Sequence, residues 1–309
     1  MKKEPICVYL PSFTWKTNEE FRIKKAIGNL DCPFPDLIEQ ALGIIKNAGK
    51  DALDPLVEAV EKKRFEDGGR WDNVPEAFAD IGEPAVPVLV KWLVSKKEDL
   101  YSTAEDALEL IGRPAVPHLC EVITTRNTDA RIRVINLLGM AKDDRAIPHL
   151  ITALSDKNYL VRSYAADALI EYGRPIYPQI LTMLKSDNIQ QVCGAVTILP
   201  GIDQKQGVAD VILYFTHPYG EVWNAVCDSL TQLEPLPVAE MRQCLSSEDQ
   251  DIVTGALNVL GRCTDEEVMH EAENLLDHPD KQIRSSAELC VKNIRNALER
   301  AKPKTAIPE

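Results

Sequence analysis

Residues 81–87 read Ile-Gly-Glu-Pro-Ala-Val-Pro, and residues 111–117 repeat the phrase as Ile-Gly-Arg-Pro-Ala-Val-Pro. Diverged copies follow as Asp-Arg-Ala-Ile-Pro at 144–148 and Tyr-Gly-Arg-Pro-Ile-Tyr-Pro at 172–178. The closing prolines at positions 87, 117, 148 and 178 are 30, 31 and 30 residues apart. A period of this length is typical of solenoids built from stacked two-helix units. The repeat therefore predicts an all-α fold.

The phrase has the composition expected of a turn between two helices. Gly82 and its counterparts at 112 and 173 predict the end of the first helix, helix A, because glycine adopts a left-handed conformation without a steric penalty. Pro84 and its counterparts at 114 and 175 are expected in the first turn of the second helix, helix B, where no amide donor is required. Each repeat thus reads as helix A, turn, helix B.

A second signature lies within helix A. Residues 161–169 read Val-Arg-Ser-Tyr-Ala-Ala-Asp-Ala-Leu, and their apolar positions define one buried helical face. From both signatures we predict about eight repeats and a C-terminal capping helix within residues 35–300. Residues 1–34, which prolines interrupt, are expected to form an irregular N-terminal cap. Residues 301–309 are expected to be a disordered tail.

Composition restricts the class of partner and the compartment. The chain has 48 acidic and 35 basic residues, and its net charge of −13 argues against a nucleic-acid backbone as the main partner. The eight cysteines show no C-x-x-C spacing, which favours reduced structural thiols over a zinc or redox motif. No stretch approaches the roughly 20 apolar residues of a membrane span, and the apolar run at 6–10 is too short for a signal peptide. We therefore expect a cytoplasmic protein.

The two signatures together resemble the HEAT repeat family, and specifically the short HEAT-like repeats of the phycobilin lyase type. The resemblance covers residues 35–300 and is clearest where Gly-x-Pro-Ala-Val-Pro and Val-Arg-x-x-Ala-Ala-x-Ala-Leu both occur. It implies a right-handed α-solenoid, a superhelix of stacked two-helix repeats whose B helices line a concave face. It also implies a role in protein–protein contact.

This implied concave face gives the candidate binding surface. The residue after each closing proline, and the residue three positions later, are expected to point out of helix B because their neighbours belong to the core. In three successive repeats these positions carry His118, Glu121, His149, Thr152, Gln179 and Thr182. We call this set the helix B ridge. It is interpreted either as the surface for a protein partner or as an ordinary solvated helix face.

One position of helix A also stands out. Arginine occupies it in three repeats, as Arg131, Arg162 and Arg284. These side chains are expected to pair with an acidic residue of the preceding inter-repeat turn, such as Asp129, Asp156 or Asp280. Trp223 occupies the same position in another repeat, where it is interpreted either as an interface anchor or as packing over the turn at 218–220.

No catalytic, cofactor-binding or metal-binding residues are predicted. The chain lacks the P-loop, G-x-G-x-x-G, G-x-S-x-G and H-E-x-x-H motifs. His270-Glu271 is its one His-Glu dipeptide, whereas the HEAT-like metal hydroxylases use several. The leading hypothesis is a non-enzymatic scaffold or adaptor for another protein, with no oligomeric state predicted. An enzyme of the bilin lyase kind is the alternative, and a HEAT-like nucleic-acid-binding protein is a third reading that the acidity disfavours.

Overall fold

The structure is a computed structural model that describes residues 19–66 and 72–301, with only the backbone described for residues 63–66. The start of the predicted N-terminal cap, residues 67–71 and nearly all of the predicted C-terminal tail lie outside these residues. Every regular element within the described ranges is a helix. The chain divides into two compact units, residues 1–168 and 169–309.

The first unit is a row of antiparallel helix pairs. Its helices are α1 (Glu19–Asn29), α2 (Pro35–Ala48), α3 (Leu53–Glu66), α4 (Val74–Ile81), α5 (Val86–Leu93), α6 (Glu98–Ile111), α7 (Val116–Val122), α8 (Thr128–Ala141), α9 (Ile147–Ala153) and α10 (Tyr159–Ile170). The A helices α4, α6 and α8 pack side by side, and the B helices α5 and α7 each pack against the A helix that follows them. This arrangement confirms the predicted all-α fold of stacked helix pairs.

The second unit continues the pattern of alternating A and B helices. It begins within the last residues of α10 and contains α11 (Tyr177–Met183), α12 (Ile189–Ile202), α13 (Gln204–Val211), α14 (Gly220–Thr231), α15 (Val238–Cys244), α16 (Gln250–Leu260), α17 (Glu266–Glu273) and α18 (Lys281–Ala301). Helix α12 packs against α14, and α18 covers both α16 and α17. The long α18 lies where the capping helix was expected.

The repeated phrase forms the turn between helices A and B, with two differences from the expected geometry. Gly82 has φ 76° and ψ −140°, and Gly112 has φ 68° and ψ −129°, so their φ is positive but their ψ is not that of a left-handed helix. The first proline lies in a short 3₁₀ turn at Glu83–Ala85 or Arg113–Ala115, and it is the second proline that occupies the first turn of helix B. A positive φ still requires glycine at these positions.

The diverged third copy joins its two helices without glycine and with a different backbone conformation. Lys142 takes the left-handed helical conformation, with φ 45° and ψ 50°. The carboxylate of Asp143 then accepts from the backbone amide of Arg145 at 3.0 Å and from its side-chain Nε at 2.9 Å. The side-chain hydrogen bond from Arg145 lowers the pKa of Asp143 to about 2. A capping carboxylate therefore replaces the Gly-x-Pro chemistry of the other copies.

Small side chains allow neighbouring A helices to approach closely. Ala104, Val134 and Ala165 are fully buried at equivalent positions of α6, α8 and α10. A Cβ added to Gly139 of α8 would lie 2.9 Å from the Cβ of Ala168 on α10. That contact is too short for real carbon atoms, so α8 and α10 meet where glycine faces alanine.

The N-terminal cap differs from its prediction in one respect. Residues 19–29 form the regular helix α1, which buries Ile23, Ala26 and Ile27 and packs against α2. The prolines that suggested irregular structure leave this stretch uninterrupted, because they lie at positions 5, 11 and 33 on either side of it. The expectation of an irregular segment is therefore wrong for residues 19–29.

Candidate functional site

The helix B ridge lies at the surface in both units. His118 and Glu121 lie on α7, His149 and Thr152 on α9, and Gln179 and Thr182 on α11; His118 is half-buried and the other five are exposed. The Nδ1 atom of His118 is buried and has no hydrogen-bond partner among the described residues. These side chains point away from the core on their own helices. Whether they bind a partner stays a prediction.

The two ridge threonines use their hydroxyl groups within their own helices. Thr152 Oγ1 donates to the carbonyl oxygen of Pro148 at 2.9 Å, and Thr182 Oγ1 donates to that of Gln179 at 2.7 Å. A hydroxyl that donates to its own backbone keeps its acceptor lone pairs. In this geometry both threonines offer acceptors to a partner.

Two grooves flank the inter-repeat turn between α7 and α8 in the first unit. The smaller groove has a volume of about 470 Å³. It is lined by His149 and Thr152 of the ridge and by turn residues 123–126 and 155–157. The larger has a volume of about 850 Å³ and lies between turn residues 95–96 and 125–129. Thr125 and Arg126 line both grooves, so the two grooves share this turn as a common wall. Both volumes fall in the range of ligand-binding clefts.

A buried ion pair forms the floor of the smaller groove. The guanidinium of Arg131 faces the Asp156 carboxylate edge-on, with Nε 2.8 Å from Oδ2 and Nη2 3.0 Å from Oδ1. Its Nη1 donates to the carbonyl oxygen of Thr125 at 2.9 Å. The side chains of Arg131 and Asp156 are only 5% and 16% exposed, so water screens the pair weakly. Arg131 thus joins the turn before its helix to the turn of the next repeat.

The arginine position of helix A therefore has a structural role, but its partners differ from those predicted. Arg131, Arg162 and Arg284 each donate to the backbone carbonyl oxygens six and five residues earlier, in the preceding turn. The carboxylate that pairs with Arg131 belongs to the following turn. The prediction considered only opposite charges and therefore expected an acidic residue in the preceding turn. In the structure, that turn instead offers backbone carbonyl oxygens, which accept hydrogen bonds from the guanidinium.

A stacked arginine lies beside the larger groove. The guanidinium carbon of Arg133 is 3.8 Å from the ring centroid of Tyr101, and its Nη2 donates to the carbonyl oxygen of Leu93 at 3.1 Å. Burial raises the pKa of the nearby Glu105, although the charge of Arg133 opposes this rise. Arg133 and Tyr101 therefore form a rigid aromatic and cationic wall.

Exposed cations lie at successive inter-repeat turns, a feature that the sequence analysis did not identify. Lys96, Arg126 and Lys157 line the grooves and are exposed. Within the described residues none of the three forms a side-chain ion pair. The two grooves together are lined by five lysine and arginine side chains and two carboxylates, although the whole chain carries −13. Alignment of the turns at 96, 126 and 157 would have revealed this local excess of positive charge.

Trp223 is half-buried and packs against its own unit. Its ring centroid lies 6.1 Å from that of Phe215, and its indole Nε1 donates to the carbonyl oxygen of Asp251 at 3.4 Å. These contacts are those of a packing residue that bridges to the next repeat. Its part in partner binding stays a prediction.

The described residues form neither a metal-ligand cluster nor a membrane-spanning helix. Within residues 19–66 and 72–301, no three His, Cys, Asp or Glu side chains come together as a metal-binding group. His270 contacts Glu273, with Nδ1 3.0 Å from Oε2, and Glu271 accepts from Arg242. No helix in these ranges has both the length and the apolar character needed to cross a membrane.

Comparison with known proteins agrees with the helix-pair architecture. Residues 116–199 match the family model of HEAT repeats, a segment that contains the smaller groove. No curated protein matches the chain in sequence. The matched model describes HEAT repeats in general, so the phycobilin lyase type stays a prediction.

Solved structures with a similar fold include karyopherins. A mutant of Kap121p is similar at a TM-score of 0.50 and 15% identity, over 95% of this chain and 39% of that chain. The karyopherin Kap121p bound to the extreme C-terminus of the protein phosphatase Cdc14p gives a TM-score of 0.48 and 14% identity, over 94% and 39%. The chain thus spans about two fifths of these karyopherin chains. At such identities the likeness shows the fold alone.

Proposed function

We propose that this protein is a non-enzymatic scaffold that binds another protein through the helix B ridge and the grooves of its first unit. The observation that carries the proposal is the smaller groove, in which His149 and Thr152 of the ridge meet two inter-repeat turns. A stack of repeats presents such a groove as a wide, rigid surface. The match to HEAT repeats over the same residues supports it, because HEAT repeats typically bind proteins.

The polar character of the surface also favours a protein partner. His149 is exposed, Thr152 offers acceptor lone pairs, and Arg126 and Lys157 carry charges without an intramolecular partner among the described residues. Such groups form the polar contacts that surround and orient a protein interface. The buried pair of Arg131 and Asp156 fixes the floor, so binding requires little reordering of this surface.

The test is affinity capture from the soluble extract of the native cell, followed by measurement on the purified pair. The ridge variant carries His118→Ala, His149→Ala and Gln179→Ala, and so removes the first ridge residue of each helix. A matched control replaces exposed polar residues of A helices, Ser102→Ala, Ser163→Ala and Asn224→Ala. All three forms are expected to melt alike, because five of the six replaced side chains are exposed, and half-buried His118 has no hydrogen-bond partner for its buried Nδ1 among the described residues.

The expected result is a protein that the wild type and the control enrich and the ridge variant does not. Calorimetry on that protein, expressed alone, should show at least a tenfold loss of affinity for the ridge variant, equivalent to about 1.4 kcal/mol. Undiminished affinity of the ridge variant would exclude the ridge as the binding surface. If the wild type enriches no protein, the scaffold function itself is wrong.

A further inference from the structure

We propose that the two grooves around the turn at 123–129 bind an extended acidic segment of the partner protein. This inference rests on the proposed function and names the chemistry of the segment that the scaffold takes. It is drawn from the charge, the spacing and the pairing of the cations that line the grooves.

Charge complementarity identifies the segment. The groove linings contain Lys96, Arg126, Arg131, Arg133 and Lys157, against two carboxylates. The whole chain carries −13, whereas the groove linings carry more positive than negative side chains, so an acidic ligand is favoured at the grooves over the average surface. A basic segment would meet the opposite field and bind the outer surface without preference for the grooves.

The cations that line the grooves divide into two groups with different roles. Arg131 is neutralised by Asp156, and Arg133 is held by the Tyr101 ring and a backbone carbonyl, so both belong to the walls. The side chains of Lys96, Arg126 and Lys157 are exposed and carry no intramolecular ion pair within the described residues. These three positive charges are the ones that a ligand can neutralise.

The spacing of these three cations suits an extended chain. They lie at successive inter-repeat turns, 30 and 31 residues apart in sequence. Packed helices are about 8–10 Å apart, so successive turns are separated by a similar distance. An extended peptide in the polyproline II conformation has three residues per turn and advances about 3.1 Å per residue. Acidic side chains at every third position therefore lie on one side of the peptide, about 9 Å apart, and would reach successive cations. Both grooves open to solvent, and a peptide backbone would cross from one to the other over Arg126, which lines both.

The test uses fluorescence anisotropy with three labelled probes and the full-length protein. The first probe is a twelve-residue peptide of Glu-Gly-Ser repeats, the second is its Gln-Gly-Ser counterpart, and the third is an oligothymidylate of equal length. The groove variant carries Lys96→Glu, Arg126→Glu and Lys157→Glu. The control carries Lys205→Glu, Lys281→Glu and Lys292→Glu, all exposed in the second unit. Both variants change the net charge by the same amount, from −13 to −19, because each exchange subtracts two charges.

The glutamate peptide should bind in low salt, and its affinity should fall as ionic strength rises, whereas the glutamine peptide should not bind measurably. Exposed ion pairs are individually weak, so we expect each reversal to cost a factor of about two to five, and the groove variant to lose at least about tenfold. The control should lose less than about twofold. Arg126→Gln, which neutralises the residue shared by both grooves, keeps the test valid if the triple variant does not fold.

Three results would overturn the inference: equal binding of the two peptides, an equal loss in the control variant, or binding of the oligothymidylate in preference to the glutamate peptide. If the captured partner still binds while the glutamate peptide does not, the acidic segment is wrong and the scaffold function stands. If no partner is captured, the proposed function fails independently of the peptide result.

Discussion

Replacement of Arg131 by methionine should destabilise the first unit more than any other single change in the arginine series. Methionine fills a similar volume but leaves the Asp156 carboxylate without its bidentate partner. Removal of one member of a buried ion pair costs about 3–5 kcal/mol. Because Asp156 keeps 16% of its side chain exposed, the lower end, about 3 kcal/mol, is appropriate. With a urea dependence of about 2 kcal/mol per molar, the midpoint should fall by about 1.5 M.

The matched control for this prediction is Arg162→Met. Arg162 donates to two carbonyl oxygens of the preceding turn, at 2.8 and 3.4 Å, and is half-buried. Its loss should cost about 1 kcal/mol, which is typical of hydrogen bonds with partial solvent access. The assay is urea unfolding followed by circular dichroism, with Asp156→Asn and the double variant completing a cycle that isolates the pair. A midpoint shift for Arg131→Met no larger than that for Arg162→Met would refute the reasoning.

Three further predictions follow from the packing and the titrating groups. Gly255→Ala should cost about 1–3 kcal/mol of unfolding free energy through overpacking and so lower the thermal midpoint, since its new methyl group would meet the buried ring of Phe215. Gly43→Ala, with open space around it, should raise the midpoint slightly. In urea unfolding, the wild type should have a higher free energy of unfolding than Asp143→Asn. This difference should be constant above about pH 5 and vanish as the pH falls through about 2, because folding lowers the pKa of the Asp143 carboxyl group. Burial raises the pKa of the Cys290 thiol to about 12, so labelling at about pH 8, read by mass spectrometry, should be slow until urea is added.

The turn between helices A and B shows which features of the fold the sequence predicts and which it does not. The glycines and prolines of residues 81–87 placed the end of helix A and the start of helix B within a few residues. The 3₁₀ turn at Glu83–Ala85 was missed because a proline suits the first turn of a 3₁₀ helix as well as that of an α-helix. The ψ of Gly82 was missed for a similar reason, because glycine tolerates more than one region at positive φ.

The candidate site was only partly predictable because it is assembled from distant turns. The positions of His149 and Thr152 on helix B followed from the repeat register alone. The contact between Arg131 and the carbonyl oxygens of the turn could not be predicted in this way, because every residue has a backbone carbonyl group whatever its side chain. The cations at Lys96 and Lys157 were present in the sequence, but the strongly negative net charge obscured a local excess of opposite sign.

Hydrogen–deuterium exchange of the protein, with and without its captured partner, tests the central claim most directly. If the ridge and grooves of the first unit bind that protein, amide exchange should slow in Ile147–Ala153 and in the turns at 123–129 and 154–158. Exchange in the centre of α8, which is already packed in the core, should remain unchanged. Protection confined to the A helices, or absent from the first unit altogether, would contradict the account.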